Sequence, residues 1–135
     1  MMKHTILILF LFLSLLCHGQ SYKFFTTDRE LSSSLINKIY QDRNGMIWIA
    51  TEDGLNRYDG AKFITYKHDP ENEYSLCHNY VRVLYEDSKG RLFVGTYNGI
   101  QLYDPETDSF SARAQWEDGK TFDSNIMSIL ERRNG

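Results

Sequence analysis

Four carboxylates raise the question of chemistry. Asp42, Asp59, Asp87 and Asp104 are the kind of residue that a hydrolase or lyase uses in general acid–base pairs. Their spacing points elsewhere. Asp42 and Asp87 are separated by the same 45 residues as Asp59 and Asp104, and each stands at a predicted turn. Recurrence at fixed turn positions is what backbone capping requires, whereas catalytic groups break a repeat. Gly54 and Gly99 recur in the same way and are predicted to be turn glycines, because neither opens a phosphate loop ahead of a helix. Asp69, Cys77 and His78 have the side chains to bind zinc, but their spacing matches no metal motif. No Ser–His–Asp arrangement is recognisable. The chain is therefore expected to be non-catalytic, with no metal and no cofactor.

The residues best suited to hold a ligand lie between these turns. Lys67 to Asn79 is a long polar connection containing Tyr74, His78 and Asn79. Carbohydrate recognition needs an aromatic platform and planar polar groups, and loops on one face of a repeat array carry recognition. Tyr74, His78 and Asn79 are the ligand-binding candidates, with Trp116 in "QWEDGK" as a further one.

The elements that would position these residues begin after a leader. Lys3 precedes an almost wholly apolar run from Ile6 to Cys17, and Cys17 and Gly19 suit a cut before Gln20. This is a secretory signal peptide pattern over residues 1–19, too short for a comfortable membrane span. Of the chain's 15 basic and 18 acidic residues, only Lys3 lies in the leader, leaving 14 against 18. That mild acidity, with no basic run among the aromatics, gives no support to nucleic acid binding. Cys77 alone remains after the leader, so no intrachain disulfide can form; it is expected to be a small buried side chain.

The rest of the chain is a repeat. Gly45 pairs with Gly90, Trp48 with Phe93, Thr51 with Thr96, Gly54 with Gly99 and Tyr58 with Tyr103, each 45 residues apart. Ile36 and Val81, Ile39 and Leu84, and Tyr40 and Tyr85 extend the correspondence upstream, and Phe63 matches Phe110 after a drift of two. A third copy begins at Ile126, Ile129 and Leu130, with Gly135 at the turn glycine and Arg132 at the Asp position. The repeats run approximately over 31–75, 76–120 and 121–135. A period near 45 with short strands predicts propeller blades or another all-β array.

Each copy parses into four strands: Asn37–Gln41, "MIWIAT", "LNRYD" and "KFITYK", then Val81–Tyr85, "RLFVGT", "IQLYD" and "SFSARA". The turns "DRNG" and "DSKG" carry Asp caps and Gly where positive φ is needed. Both alternating sets of the second strands are apolar, so those strands must lie between packed layers. Trp48 and Phe93 are predicted anchors between blades, and truncating either should cost about 3–5 kcal/mol in an intact domain.

"QDRNGMIWIATEDGLNRYDGAKFITY" closely resembles the two-component regulator propeller repeat, whose pattern runs Asp-x-x-Gly-x-Ile/Leu-Trp-Ile/Val-Gly-Thr, then x-x-Gly-Leu, an aromatic-Asp pair and Phe-x-x-Tyr. The first copy departs at Ala50, where the family has Gly; the second has Phe93 for Trp and Ile100 for Leu and is weaker in its last strand. The fold class is thus all-β, an incomplete β-propeller of about two four-stranded blades and the start of a third. The resemblance implies the N-terminal periplasmic sensor region of a Bacteroidota hybrid sensor histidine kinase. It further implies an oligosaccharide ligand, the remaining blades as partners, and in the full-length parent a membrane helix, a kinase and a change of subunit arrangement in a homodimer. The alternatives are a secreted, non-catalytic propeller fragment that binds protein or carbohydrate, and the nonfunctional product of a truncated gene. Exposed sheet edges predict poor solubility of the isolated fragment.

Overall fold

The computed structural model describes residues 22–26, 30–115, 118–121 and 123–132. The expected leader, Trp116 and Gly135 lie outside the described residues. Eight strands form among them: β1 Ile36–Gln41, β2 Ile47–Thr51, β3 Gly54–Tyr58, β4 Phe63–Tyr66, β5 Val81–Glu86, β6 Leu92–Thr96, β7 Gly99–Asp104 and β8 Ser109–Phe110. They make two antiparallel sheets in the orders β1-β2-β3-β4 and β5-β6-β7-β8. These are the two predicted blades. The registers repeat as well, with Trp48 opposite Tyr40 and Phe93 opposite Tyr85, and a bulge at the same position of both first strands.

Tight turns explain the meander. Gly54 takes a φ of +127°, and a Cβ there would stand 2.8 Å from the Tyr66 carbonyl oxygen. The Thr51 hydroxyl, fully buried, bonds the Gly54 carbonyl and accepts the Asp53 N–H; Thr96 does the same for Gly99 and Asn98. After the third strand, Tyr58 pairs with Phe63 and Tyr103 with Phe110, which is the predicted drift of two residues.

The last strand is shorter than "SFSARA" suggested. β8 holds only Ser109 and Phe110; beyond them the Ser111 and Ala114 N–H groups still reach the Leu102 and Ile100 carbonyls, but side chains share the pairing. The Ser111 hydroxyl accepts the Leu102 N–H, and the Gln101 amide donates to the Ser111 carbonyl, each at 2.9 Å. The core lies where the sheets face each other, around Trp48, Ala50, Leu55, Leu76, Val81, Leu84, Val94, Tyr103 and Phe110. Burial of such side chains, at about 1.5–3 kcal/mol each, holds the blades together, with no disulfide among the described residues. Trp48 is the predicted anchor between blades: it is 1% exposed and meets Tyr103 of the second blade edge-on at 4.7 Å. Phe93 is half-buried, with the Arg91 guanidinium over its ring.

Beyond the second sheet, the start of the third copy keeps its register. The Gly99 N–H bonds the Ser124 carbonyl, as the Gly54 N–H bonds the Asn79 carbonyl one repeat earlier. Ile126 is buried and its side chain comes so near Gly95 that a Cβ there would stand 2.8 Å away.

Candidate functional site

The four aspartates are consumed by their turns. The Asp42 carboxylate accepts the N–H groups of Asn44 and Met46 at 2.9 Å, and Asp87 accepts those of Lys89 and Arg91. The second oxygen differs between blades. Asp42 takes the Trp48 indole N–H at 2.8 Å. Phe93 has no such donor, and Asp87 instead takes the Arg91 guanidinium at 2.6 Å. Burial alone would raise the Asp87 carboxyl, but the N–H groups and charge of Arg91 hold it below the usual range. Asp59 is lowered by the N–H groups of Lys62 and Ala61, and Asp104 by the Glu106 N–H and the Thr107 hydroxyl. With their carboxyls held low, Asp59, Asp87 and Asp104 are poor proton donors.

Two further sets of contacts, which the sequence reading did not foresee, tie blade to blade. Glu86 accepts the Tyr40 hydroxyl and the Arg43 N–H and pairs with the Arg43 side chain. Glu131 repeats this 45 residues on, accepting the Tyr85 hydroxyl and the Ser88 N–H. At the outer side, Asp108 accepts the Tyr66 and Tyr103 hydroxyls and pairs with Arg57, whose guanidinium lies 5.6–5.8 Å from the rings of Trp48, Tyr66 and Tyr103. Burial and the Asp108 bond push the Tyr103 hydroxyl up to about 12, and burial and the same carboxylate raise Tyr66 further. Asp108 itself, which burial would raise, is held low by those hydroxyls and Arg57. It also has φ +52°, an uncommon conformation for a residue other than Gly. The two-residue drift before Phe110 was the sequence signal for this turn.

Cys77 occupies a repeat position too. Its Sγ lies 3.1 Å from the Thr96 hydroxyl and its N–H bonds the Gln101 side chain, as Ser32 meets Thr51 and Asn56 one repeat earlier. Burial raises the thiol above its ordinary value. It is a turn-bracing group, more polar in its contacts than a simple apolar filler.

The ligand candidates fall in different places. Tyr74 lies beside β8, where its carbonyl accepts the Phe110 N–H; it borders a hollow of about 750 Å³ with Leu102, Pro105 and Phe110. Asn79 is engaged in the backbone: its carbonyl takes the Gly54 N–H, and its side chain bonds the His68 N–H and Asp53. His78 is at the β2–β3 and β6–β7 turn end, 5.6 Å from the Tyr97 ring, and its Nδ1 accepts the Tyr80 N–H. There the structure assembles a set the sequence did not single out. Tyr97 is 56% exposed, Tyr80 lies 6.2 Å from it, and the Tyr80 hydroxyl bonds Glu52 of the first blade at 3.0 Å. A polar groove of about 600 Å³ runs past their chain neighbours Cys77 and Asn98, walled by His68, Asp69, Gln101 and Arg113. Aromatic faces beside a carboxylate and amides can stack on and hydrogen-bond a polar ligand.

Four-stranded antiparallel sheets packed face to face at a 45-residue period define the class: these are β-propeller blades. The two-component regulator propeller model matches residues 30–53 and 75–98, the same stretch of each of the two repeats. Histidine kinase P4 of Formosa agariphila is 40% identical over 73 residues, which is 51% of this chain and 5% of the kinase. The extracellular domain of the hybrid two component system BT3049 from B. thetaiotaomicron superposes with a TM-score of 0.63 at 32% identity, over 76% of this chain and 15% of that one. The corresponding domain of BT4673 from the same organism gives 0.60 at 25% identity, over 79% and 15%. The chain thus spans a small part of the relatives it matches. Among the described residues, no helix is long and apolar enough to cross a membrane.

Proposed function

We propose that these blades belong to the extracytoplasmic ligand-sensing propeller of a hybrid two-component sensor, and that the ligand is an oligosaccharide. The two matched repeats and the likeness to extracellular domains of hybrid systems support the sensor reading. The exposed Tyr97 ring beside Tyr80, His78 and Glu52 carries the ligand class. A sugar's C–H face stacks on such a ring while its hydroxyls meet carboxylate and amide groups. Because Glu52 belongs to the first blade and Tyr97 to the second, a ligand seated there touches both and favours one relative blade setting. That differential binding would shift the sensor between its states.

Titration calorimetry of the sensor protein against defined neutral oligosaccharides tests the reading. Tyr97→Ala should weaken binding at least about tenfold, the loss of one well-placed contact worth roughly 1.4 kcal/mol. Tyr74→Ala, beside β8, should leave it unchanged. Unaltered affinity in Tyr97→Ala, or no oligosaccharide bound by the unaltered protein, would remove the ligand assignment. Reading the gene beyond the Gly135 codon tests the sensor assignment separately, through the presence or absence of further blades, a membrane helix and a kinase.

A further inference from the structure

The turn end of the two blades keeps one backbone arrangement and changes its side chains. The Tyr97 N–H bonds the Tyr80 carbonyl at 3.0 Å, as the Glu52 N–H bonds the Leu35 carbonyl one repeat earlier at 3.1 Å. Thr51 and Gly54, which close the first turn, recur as Thr96 and Gly99. Three positions do not recur. Tyr80, Arg82 and Tyr97 stand where the first repeat has Leu35, Asn37 and Glu52, and in the second blade they gather around the Tyr80 ring. A framework residue has the same turn to close in every blade, whereas a residue that serves a ligand has no reason to repeat.

Arg82 has donors to spare. Among the described residues, Arg43, Arg57, Arg91 and Arg113 each pair with a carboxylate, and Arg82 does not. Its hydrogen-bond acceptor there is the Met127 thioether at 2.9 Å, a weak partner for a planar fork of N–H groups. Asn37, at the same position of the first blade, spends its amide on the Val81 carbonyl at 2.8 Å. The Arg82 contact is open to solvent, with Met127 68% exposed, so an incoming acceptor can displace it. The guanidinium lies 5.3 Å from the Tyr80 ring centroid, and the exposed Tyr97 ring lies 6.2 Å from the same centroid. Glu52 is engaged elsewhere on that side chain, accepting the Tyr80 hydroxyl at 3.0 Å. The Tyr80 side chain thus carries a carboxylate at its hydroxyl and a cation over its ring.

We infer that Arg82 is a subsite for an anionic group on the ligand, a uronate carboxylate or a sulfate ester, on a ring neighbouring the one stacked on Tyr97. This deepens the oligosaccharide reading of the Tyr97 end and rests on it. The guanidinium fork takes two oxygens of either group at once, and its stacking on Tyr80 holds it ready. Repulsion from Glu52 sends the anion to the Arg82 side and leaves neutral hydroxyls for Glu52, which fixes the direction in which the ligand lies. With 15 basic against 18 acidic residues in the chain, this attraction comes from one placed group and not from a basic surface.

Titration calorimetry of the sensor protein tests this by comparing each neutral oligosaccharide with its counterparts bearing a C6 carboxylate or a C6 sulfate. One charged form should bind at least about tenfold more tightly than the neutral one, and the form that does so names the anion. Arg82→Gln should abolish that preference, and Arg82→Lys should retain only part of it, keeping the charge but losing the fork. Added salt should shrink the preference in the unaltered protein, which reads the same contact without a substitution. Tyr97→Ala should weaken charged and neutral forms alike. Equal affinity for charged and neutral forms overturns the inference and leaves the oligosaccharide reading standing, as does a preference that survives Arg82→Gln. Absence of binding by every form removes the oligosaccharide reading, and the inference with it.

Discussion

The two blades satisfy one aspartate by different means, and this gives a quantitative expectation. In the first, the Trp48 indole donates to Asp42; in the second, Phe93 is paired with Arg91, which donates to Asp87. Trp48→Phe removes the donor from a carboxylate whose other oxygen remains bound to the turn. A hydrogen bond to a charged acceptor contributes about 1.5–3 kcal/mol. The lost indole surface, packed between Tyr66 and Tyr103, adds about 1 kcal/mol. The single substitution should therefore cost about 2.5–4 kcal/mol. Adding Met46→Arg imports the second blade's solution. The Arg91 side chain is half-exposed, so the coupling should be smaller than the bond it replaces, about 1–2 kcal/mol. Urea unfolding followed by far-UV circular dichroism on both singles and the double gives that coupling, provided the m-values agree. A coupling below about 0.3 kcal/mol would mean that Arg91 and Phe93 did not change together for this reason. A cost for Trp48→Phe of only about 1 kcal/mol would mean that the Asp42 bond contributes nothing beyond packing.

Cys77→Ser should change stability by less than about 0.5–1 kcal/mol, because Ser32 performs the same task in the first blade; Cys77→Val should cost more by leaving the Thr96 hydroxyl without that contact, and thermal unfolding distinguishes the two. Tyr103 is held neutral up to about 12, so its contribution is complete below the ordinary tyrosine value near 10 and is lost as pH rises through 12. Stability measured by denaturant unfolding should fall over that window, and Tyr103→Phe should flatten the fall; an identical slope would show that the hydroxyl is irrelevant there. Asp108→Asn should lower stability by weakening the Arg57 pair while keeping the turn, and Asp108→Gly should lower it despite relieving the positive φ, readable as a shifted urea midpoint. If Asp108→Gly proves more stable, backbone strain outweighs the network.

The repeat made the blades legible because every blade closes the same turns, and those turns leave Asp, Thr and Gly at fixed intervals. Trp48 as an anchor followed from a second strand apolar on both faces. Arg57, Asp108 and the Glu86 clasp did not stand out, since a charged side chain reads as solvated until a neighbouring sheet is seen to bury its partner. The ligand end was half-legible. His78 was found in the long connection, but Tyr80 and Tyr97 lie outside it and did not stand out, and only the meeting of the β6–β7 turn with the start of β5 puts them together. Tyr74 and Asn79 looked equivalent to His78 in the same segment, yet the hydrogen bonds send one to the β8 edge and spend the other on the backbone.

Ala50 in the first blade and Gly95 in the second differ by one methyl; Ile126 packs on Gly95, and Val81, at the equivalent position one repeat earlier, is smaller than Ile126 by one methylene. Lineages that duplicate and shuffle such modules therefore face a constraint on where the chromosome can be cut. Swapping one 45-residue module for the other would set Gly against Val, leaving a void, or Ala against Ile, forcing a clash. What can be inherited intact is the junction, half from each neighbour, so a successful recombination point falls inside a blade, between its first strand and its second, and keeps each second strand with the first strand of the next blade.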